Sequence, residues 1–234
     1  VVLLHQDISR KMCGRLLWKC ITTYLRVKQK MLYKIAHVLR DKMPWIWKLT
    51  SILNSFVFLL RYGKKMGSVP PAINKALLMT RQEPFYTISA VSQEDCMEME
   101  KWLLEQPDES FIYFHPHGFK LKDLHPLVAD HSFLSYLVRS KESGNIVGYF
   151  LMRSFFWGNC YRGYFVDYRW RGKGISKLMN YCATEIAETL NLKTFGTIAS
   201  ENVASMKSAE AVNEIKIIKT LDNGDYYVQY LPKK

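Results

Sequence analysis

The sequence predicts a mixed α+β domain that begins near residue 84 and runs to the end of the chain. Short runs of aromatic and β-branched residues flank a long amphipathic helix, a glycine-rich turn joins a strand to that helix, and an Asn-Gly turn closes a terminal hairpin. Because 48% of the residues are hydrophobic and 14% are aromatic, we expect a packed core. We therefore divide the chain into a basic helical extension at 1–66, a linker at 67–83 and the domain at 84–234.

The elements of the domain follow from local patterns. Apolar residues at three- and four-residue steps predict a helix at 175–190, and Ser92 can cap a helix that starts at 92–95. A second helix is expected at 204–212. The predicted strands are 85–90, 146–156, 160–168, 194–199, 215–221 and 226–231.

The net charge of +12 is unevenly distributed along the chain. Residues 1–83 hold 16 of the 33 Lys and Arg and three acids, a net of +13, whereas residues 84–234 carry a net of −1. The two parts are therefore expected to have different partners.

Residues 15–43 have the pattern of an amphipathic helix that Pro44 stops, and residues 45–60 form a second apolar stretch. At about 16 residues, that stretch is shorter than the roughly 20 needed to cross a bilayer. Three interpretations of residues 1–66 stay open: packing on the domain or a protein partner, an interfacial membrane helix, or nucleic-acid binding, which is the least favoured because no reading motif is present. The membrane interpretation places Trp45, Trp47, Phe56 and Phe58 at the headgroup level.

The five cysteines are scattered and odd in number, and no secretory signal is present, so we expect reduced thiols and a cytoplasmic protein, or one associated with a membrane from that side. Histidines and cysteines do not cluster at ligand spacing, so no metal is expected. Because the first residue is Val rather than Met, we expect the chain to be trimmed or part of a longer one.

The turn at residues 169–174 reads Arg-Trp-Arg-Gly-Lys-Gly and lies between a strand and a helix. Such a turn points backbone amides at an anion, to which the helix N-terminus adds its positive end, so a pyrophosphate is the expected ligand. The pattern lacks the Gly-Lys-Ser/Thr of a P-loop, and position 177 is Lys rather than the third glycine of a dinucleotide fold.

The pattern that fits is Gln/Arg-x-x-Gly-x-Gly/Ala, and with it residues 84–231 resemble the Gcn5-related N-acetyltransferase (GNAT) superfamily. The resemblance implies a central, mostly antiparallel mixed sheet flanked by helices, with acetyl-CoA as co-substrate. In that family the strand before the turn splays from its neighbour and pairs with pantetheine, which corresponds to Phe165 and Val166 here. The other cofactor contacts implied are Arg169, Arg171, Gly172, Lys173, Gly174, Ile175 and Ser176 in the turn, and Asn202 and Ser205 in a second motif at 201–205.

The sequence departs from the family pattern at residue 209 and again at residues 213–214. The tyrosine that often protonates the departing thiolate is Ala209 here, and the usual Gly-Phe after it is Asn213-Glu214. Candidates for the base that deprotonates the acceptor are Asp167, beside the cofactor strand, and His115 and His117, in an aromatic loop.

The expected reaction is direct attack by a small amine or hydroxyl on the thioester, with a sugar as the first choice of acceptor and another amine as the second. The Phe-His-Pro-His-Gly-Phe loop at 114–119 resembles acetyltransferases of bacterial surface-polysaccharide pathways. The alternative is an acyl-CoA-binding module without turnover, which the basic region would dock to a membrane or a partner.

Overall fold

The computed structural model describes residues 44–233. By its contacts the chain divides into two compact units after Ser51, and the sheet lies wholly in the second. The helices are α1 (Pro44–Met66), α2 (Val69–Met79), α3 (Asp95–Leu104), α4 (Leu121–Val128), α5 (Ile175–Leu190) and α6 (Val203–Glu210). The strands are β1 (Tyr86–Ala90), β2 (Phe133–Ser140), β3 (Ile146–Ser154), β4 (Asn159–Val166), β5 (Lys193–Ile198), β6 (Asn213–Thr220) and β7 (Tyr226–Pro232). The predicted helix at 15–43 lies outside the described residues.

The seven strands form one sheet in the order β1-β2-β3-β4-β5-β7-β6. Every neighbouring pair is antiparallel except β4 and β5, which are parallel. The predicted α+β class with a mixed, mostly antiparallel sheet is therefore confirmed. The single parallel pair requires a crossover, and α5 provides it.

Helices cover both faces of the sheet. Side chains alternate between the two faces along a strand, so adjacent residues of β3 pack on opposite faces. Tyr149 packs in the cluster under α3 and α4, and Phe150 packs with Leu178 in the cluster under α2 and α5. A third, smaller cluster joins Ala209 of α6 to Val228 and Tyr230 of β7.

The linker expected at 67–83 is corrected by the structure, because α2 occupies most of it. Pro70 and Pro71 lie in the first turn of α2, where backbone amides have no intrahelical partner and proline costs nothing. The helix buries Ile73 and Leu77 in the core, and Lys75 forms an ion pair of 2.7 Å with Glu185 of α5. The prolines therefore start a helix that belongs to the domain.

Besides α2, two further elements have no counterpart in the sequence prediction, namely α4 and β2. Nearly every residue of β2 is buried, because helices cover both faces, so the strand lacks the apolar–polar alternation of a half-exposed one. The signal that could have identified it is the run Phe133–Val138, bounded by polar residues and the Gly144 turn.

The part of α1 that lies in the second unit has two unlike faces. Asn54 donates to Ser132 and to the carbonyl of Ser154 at 2.8 and 3.1 Å, and Phe58 is buried against Tyr62. The predicted headgroup-level place of Phe58 is therefore wrong. Ile52, Leu53, Phe56 and Leu60 are exposed. Trp45 is exposed as well, and the side chain of Trp47 lies outside the described part. No helix among residues 44–233 is long and apolar enough to cross a membrane.

Candidate functional site

The glycine turn is held in place by one buried carboxylate. Oδ1 of Asp167 accepts from the backbone amide and Nε of Arg169, at 2.8 and 3.0 Å. Oδ2 accepts from Nη2 of Arg169, from the Trp102 indole and from the Gln106 amide, at 2.7, 2.8 and 2.9 Å. Burial by itself raises the pKa of Asp167, but these hydrogen bonds outweigh it and hold that pKa at about 2.

Asp167 was predicted as a candidate base and Arg169 as a cofactor contact. A carboxylate that accepts five hydrogen bonds and ionises near pH 2 is a poor proton acceptor at neutral pH. The guanidinium of Arg169 points back to Asp167, so this arginine shapes the turn through its own ion pair. Gln106 also accepts from the amide of Tyr168, which ties the end of α3 to the turn.

The turn itself leaves space for a ligand. Gly172 and Gly174 have φ values of +78° and +79°, and a Cβ built on Gly172 meets no atom within 4 Å. Within the described part, none of the amides of Arg171, Gly172, Lys173 and Gly174 donates a hydrogen bond, and those of Ile175 and Ser176 open a helix that has no acid in its first turn. Lys173 lies over the ring of Trp170 at 4.0 Å. The turn therefore presents unbonded backbone amides at the positive N-terminal end of α5.

The strand before the turn separates from its neighbour. β4 pairs with β5 only through Asn159–Tyr161 and Lys193–Phe195, whereas β4 and β3 stay paired up to Val166. Among the described strands, none pairs with the edge of β4 from Arg162 to Val166 on the β5 side. We call the space along this edge the β4–β5 gap. The gap is closed at Tyr161, where β4 and β5 are still paired. It is open at the Val166 end of β4, which leads into the glycine turn.

Phe165 and Val166, the predicted pantetheine contacts, lie on this unpaired edge. Their side chains face opposite ways: Phe165 is buried against Trp102 and Phe111, and Val166 packs on the cluster under α5. Only their backbone groups are available to a ligand in the gap, and their contact with pantetheine stays a prediction.

The second predicted cofactor motif forms a helix cap. Oδ1 of Asn202 accepts from the amide of Ser205 at 3.0 Å, so the two residues bind each other at the start of α6. Further along α6, Ser208 lies 2.6 Å from the hydroxyl of Ser176 and accepts from Asn180. These contacts fix α6 against the N-terminal part of α5.

The aromatic loop reaches β4 from the other face of the sheet. Phe114 lies 3.4 Å from a Cβ built on Gly163, which is in the unpaired part of β4. His117 donates from Nδ1 to the carbonyl of Gly118 at 2.7 Å, so its Nε2 accepts from the Tyr149 hydroxyl at 3.0 Å. Burial lowers the pKa of His117, although the Gly118 hydrogen bond opposes this shift.

The structure does not bring the three predicted bases together. Asp167 lies among Trp102 and Gln106, and His117 packs between Tyr149 and Phe119 with its lone pair already bonded. His115 is exposed and has no hydrogen bond to another described residue. Ala209 is buried beside Tyr230, so α6 offers no hydroxyl at the position of the missing tyrosine.

Arg162 and Tyr164 on β4 were not identified as site residues from the sequence, although both project from the face of the sheet that α5 covers. Arg162 is 6% exposed, donates from Nη1 to Thr184 at 3.0 Å and lies 3.6 Å from the ring centre of Tyr230. The buried hydroxyl of Tyr164 has no hydrogen-bond partner among residues 44–233. A charged residue at an inward position of a strand was the signal available.

No group of three or more His, Cys, Asp or Glu among residues 44–233 is arranged to hold a metal ion. The thiols of Cys96, Cys160 and Cys182 are buried and free. The described residues thus form a donor-lined turn at the open end of a strand gap, an arrangement that suits an extended ligand with an anionic end.

Comparisons with known proteins found similarity to solved structures only. No family model and no curated protein matches the chain. A spermidine N-acetyltransferase chimera from Vibrio cholerae and hSSAT is 18% identical, with a TM-score of 0.48 over 63% of this chain and 95% of that one. AAC(6')-Ib bound to paromomycin and acetyl-CoA is 15% identical, with a TM-score of 0.49 over 63% and 93%. At these values the likeness concerns the fold, and the acceptors of those proteins do not transfer to this chain.

Proposed function

We propose that the chain transfers an acyl group from a CoA thioester, of which acetyl-CoA is the simplest, to a small amine or hydroxyl. The observation that carries the proposal is the β4–β5 gap, which runs from paired strands at Tyr161 to the free amides of the glycine turn. An extended arm with amide groups suits the unpaired strand edge, and a pyrophosphate suits the turn.

The reaction follows from this placement. The acceptor nitrogen or oxygen attacks the thioester carbonyl, the bond to sulfur breaks, and the thiolate receives the proton that the acceptor loses. Backbone amides of the unpaired β4 edge between Arg162 and Val166 can stabilise the oxyanion. Because a thiol has a reference pKa near 8.5, its thiolate can leave without a strong acid. The reaction therefore does not require a tyrosine at the position of Ala209.

His115 is the base that the structure favours among the three predicted. Asp167 is saturated with donors, and the acceptor nitrogen of His117 is occupied by Tyr149. His115 follows Phe114, which covers Gly163 of β4, and its ring makes no hydrogen bond within the described part. We assign it the removal of the acceptor proton.

The acceptor is proposed to be a sugar or another small molecule with an aromatic-binding face. Tyr161, Phe195 and Tyr227 form a half-exposed aromatic surface on the face of the sheet opposite α5, with ring centres 5.9 to 6.4 Å apart. This surface begins at the closed end of the gap, because Tyr161 and Phe195 are the last paired residues of β4 and β5. Aromatic faces of this kind stack on apolar ring surfaces.

Calorimetry with CoA and acetyl-CoA, followed by thiol release with a panel of amino sugars, sugars and amines, tests the proposal. Binding of CoA together with acceptor-dependent thiol release supports it. Binding without release across the panel would indicate an acyl-CoA-binding module, and no binding would refute both functions.

A second proposal concerns α1, whose exposed face carries Leu53, Phe56 and Leu60. Arg61, Lys64 and Lys65 follow on the same helix, within a region of net charge +13. An apolar helix face beside clustered cations fits the surface of an anionic bilayer, where rings and leucines enter the headgroup boundary. We propose that this face binds a membrane surface peripherally.

A further inference from the structure

Unsatisfied buried polar atoms concentrate at one place in the domain. Of the five side-chain atoms of this kind in the described chain, four belong to three residues: Nε and Nη2 of Arg162, the hydroxyl of Tyr164 and Oδ1 of Asn180. The fifth, Oγ of Ser110, lies elsewhere. Arg162 and Tyr164 are two positions apart on β4, so both project from the same face of the sheet, toward α5.

The free atoms of Arg162 form a matched pair. Nη1 is taken by Thr184, and the flat face of the guanidinium lies on the ring of Tyr230. The remaining Nε–H and Nη2–H are parallel donors on one edge of the guanidinium, the arrangement that binds a carboxylate through two hydrogen bonds. No Asp or Glu among the described residues pairs with Arg162.

A buried guanidinium without a counter-charge is unfavourable, and buried charges in proteins are paired. The stacking on Tyr230 offsets part of this cost but leaves both donors of the free edge unbonded. The chemistry of the edge therefore indicates a planar anionic group as its partner, with the Tyr164 hydroxyl beside it as a third donor.

The position of the free guanidinium edge of Arg162 indicates which part of a ligand would carry the planar anionic group. Arg162 is the first residue of β4 beyond the pairing with β5, at the closed end of the β4–β5 gap, and the glycine turn follows the other end of the unpaired edge. Gly196 of β5 has no side chain on this face, and the ring and hydroxyl of Tyr230 pack over the place where one would be, at 2.7 to 3.3 Å from a Cβ built there. A CoA thioester with its pyrophosphate at the turn directs its acyl group toward Arg162.

We infer that the donor is the CoA thioester of a dicarboxylic acid, such as malonyl-CoA or succinyl-CoA, and that Arg162 binds its distal carboxylate. This inference rests on the proposed function. In the transfer, the acceptor forms an amide or ester with the thioester carbon, the thiolate leaves with the acceptor's proton, and the distal carboxylate stays ionised on Arg162 throughout.

Calorimetry on the full chain with CoA, acetyl-CoA, malonyl-CoA and succinyl-CoA tests the inference. We expect at least one carboxylated thioester to bind about 10- to 100-fold more tightly than acetyl-CoA, the range of a charge-assisted pair. Arg162→Met should remove that preference and leave CoA binding unchanged, and Arg162→Lys, which lacks the parallel donors, should restore only part of it.

Tyr164→Phe provides a second variant that changes one atom, in case loss of the buried arginine prevents folding. It should weaken binding of the carboxylated thioester severalfold and leave acetyl-CoA unaffected. Binding of acetyl-CoA as tightly as both carboxylated thioesters would overturn the inference and leave the proposed function standing. If none of the four compounds binds, the proposed function fails and the inference fails with it.

Discussion

Asp167 and Arg169 are two residues apart and close on each other through three hydrogen bonds, two to Oδ1 and one to Oδ2 of the carboxylate. The carboxylate is fully buried and half of the guanidinium side chain is exposed, so the pair lies at the boundary between the core and the glycine turn. Because the backbone amide of Arg169 is one of the donors to Asp167, the pair fixes the backbone conformation at the start of the glycine turn. Side-chain chemistry in the core thereby positions amides at the surface.

Asp167→Asn should destabilise the fold and weaken CoA binding. Asparagine keeps the shape of the aspartate side chain but loses its charge, and it places an NH₂ group against donors that need an acceptor. We therefore expect a loss of roughly 2–4 kcal/mol in the free energy of unfolding. Urea unfolding measures the first effect and calorimetry the second. Asp95→Asn is the matched control, since Asp95 also pairs with an arginine but lies on α3 away from the turn. CoA binding equal in the two variants would contradict the positioning role.

Acidification should remove the contribution of Asp167 at low pH. Its pKa is held below the reference value of 3.8, so its stabilisation is complete above about pH 4 and is lost as the pH falls toward 2. The difference in unfolding free energy between the wild-type protein and Asp167→Asn should shrink by roughly 2 kcal/mol over that window. A difference that stays constant from pH 5 to pH 2 would mean that the carboxylate titrates normally.

Gly172→Leu should abolish CoA binding with a modest loss of stability. Gly144→Leu is a close control, because both glycines have a φ near +75° and a Cβ built on either meets no atom within 4 Å. The backbone strain is therefore similar, and only Gly172 lies in the donor-lined turn. Equal CoA affinity in both variants would show that the pyrophosphate does not bind at this turn.

His115→Gln should lower kcat about 100-fold, the lower range for loss of a general base, and leave CoA affinity unchanged. His131→Gln replaces another exposed histidine and serves as the control. Thiol release at saturating acceptor gives kcat. If kcat is unaffected, His115 is not the base.

His117→Ala should behave differently from His115→Gln, because His117 is half-buried, packs against the rings of Phe133 and Tyr149, and accepts from the Tyr149 hydroxyl. Its loss leaves that buried hydroxyl unpaired and should cost about 1–3 kcal/mol of unfolding free energy. Since burial lowers the pKa of His117, the wild-type protein should also lose stability as the pH falls below about 6.5, where the unfolded state takes up the proton first. Unfolding curves at pH 7.5 and 5.5 test this, and His117→Ala should lack the decrease.

Replacement of Leu53, Phe56 and Leu60 by Gln should abolish co-sedimentation of the full chain with anionic vesicles. The control replaces Leu78, Leu104 and Ile217, which are apolar, comparably exposed and outside α1. Binding should also decrease as salt rises, since Arg61, Lys64 and Lys65 contribute charge. Vesicle binding retained by the α1 variant would refute the membrane proposal, as would a dimer in solution that the α1 substitutions alone dissociate.

The sequence alone determined the local elements around the turn. The helix at Ile175–Leu190, the hairpin of β6 and β7 and the turn glycines follow from periodicity, Asn-Gly and the need for positive φ, all of which act over a few residues. Even so, the helical course of Val69–Met79 was missed, because two prolines can start a helix as well as interrupt one.

Only the tertiary structure decided what the charged groups do. Neighbours distant in sequence set the role of each one. Trp102 and Gln106 saturate the carboxylate of Asp167, and the Tyr149 hydroxyl occupies the acceptor nitrogen of His117. Among residues 44–233, no carboxylate pairs with Arg162. Whether a carboxylate or guanidinium is saturated or free depends on partners brought together by packing, and no local pattern encodes them.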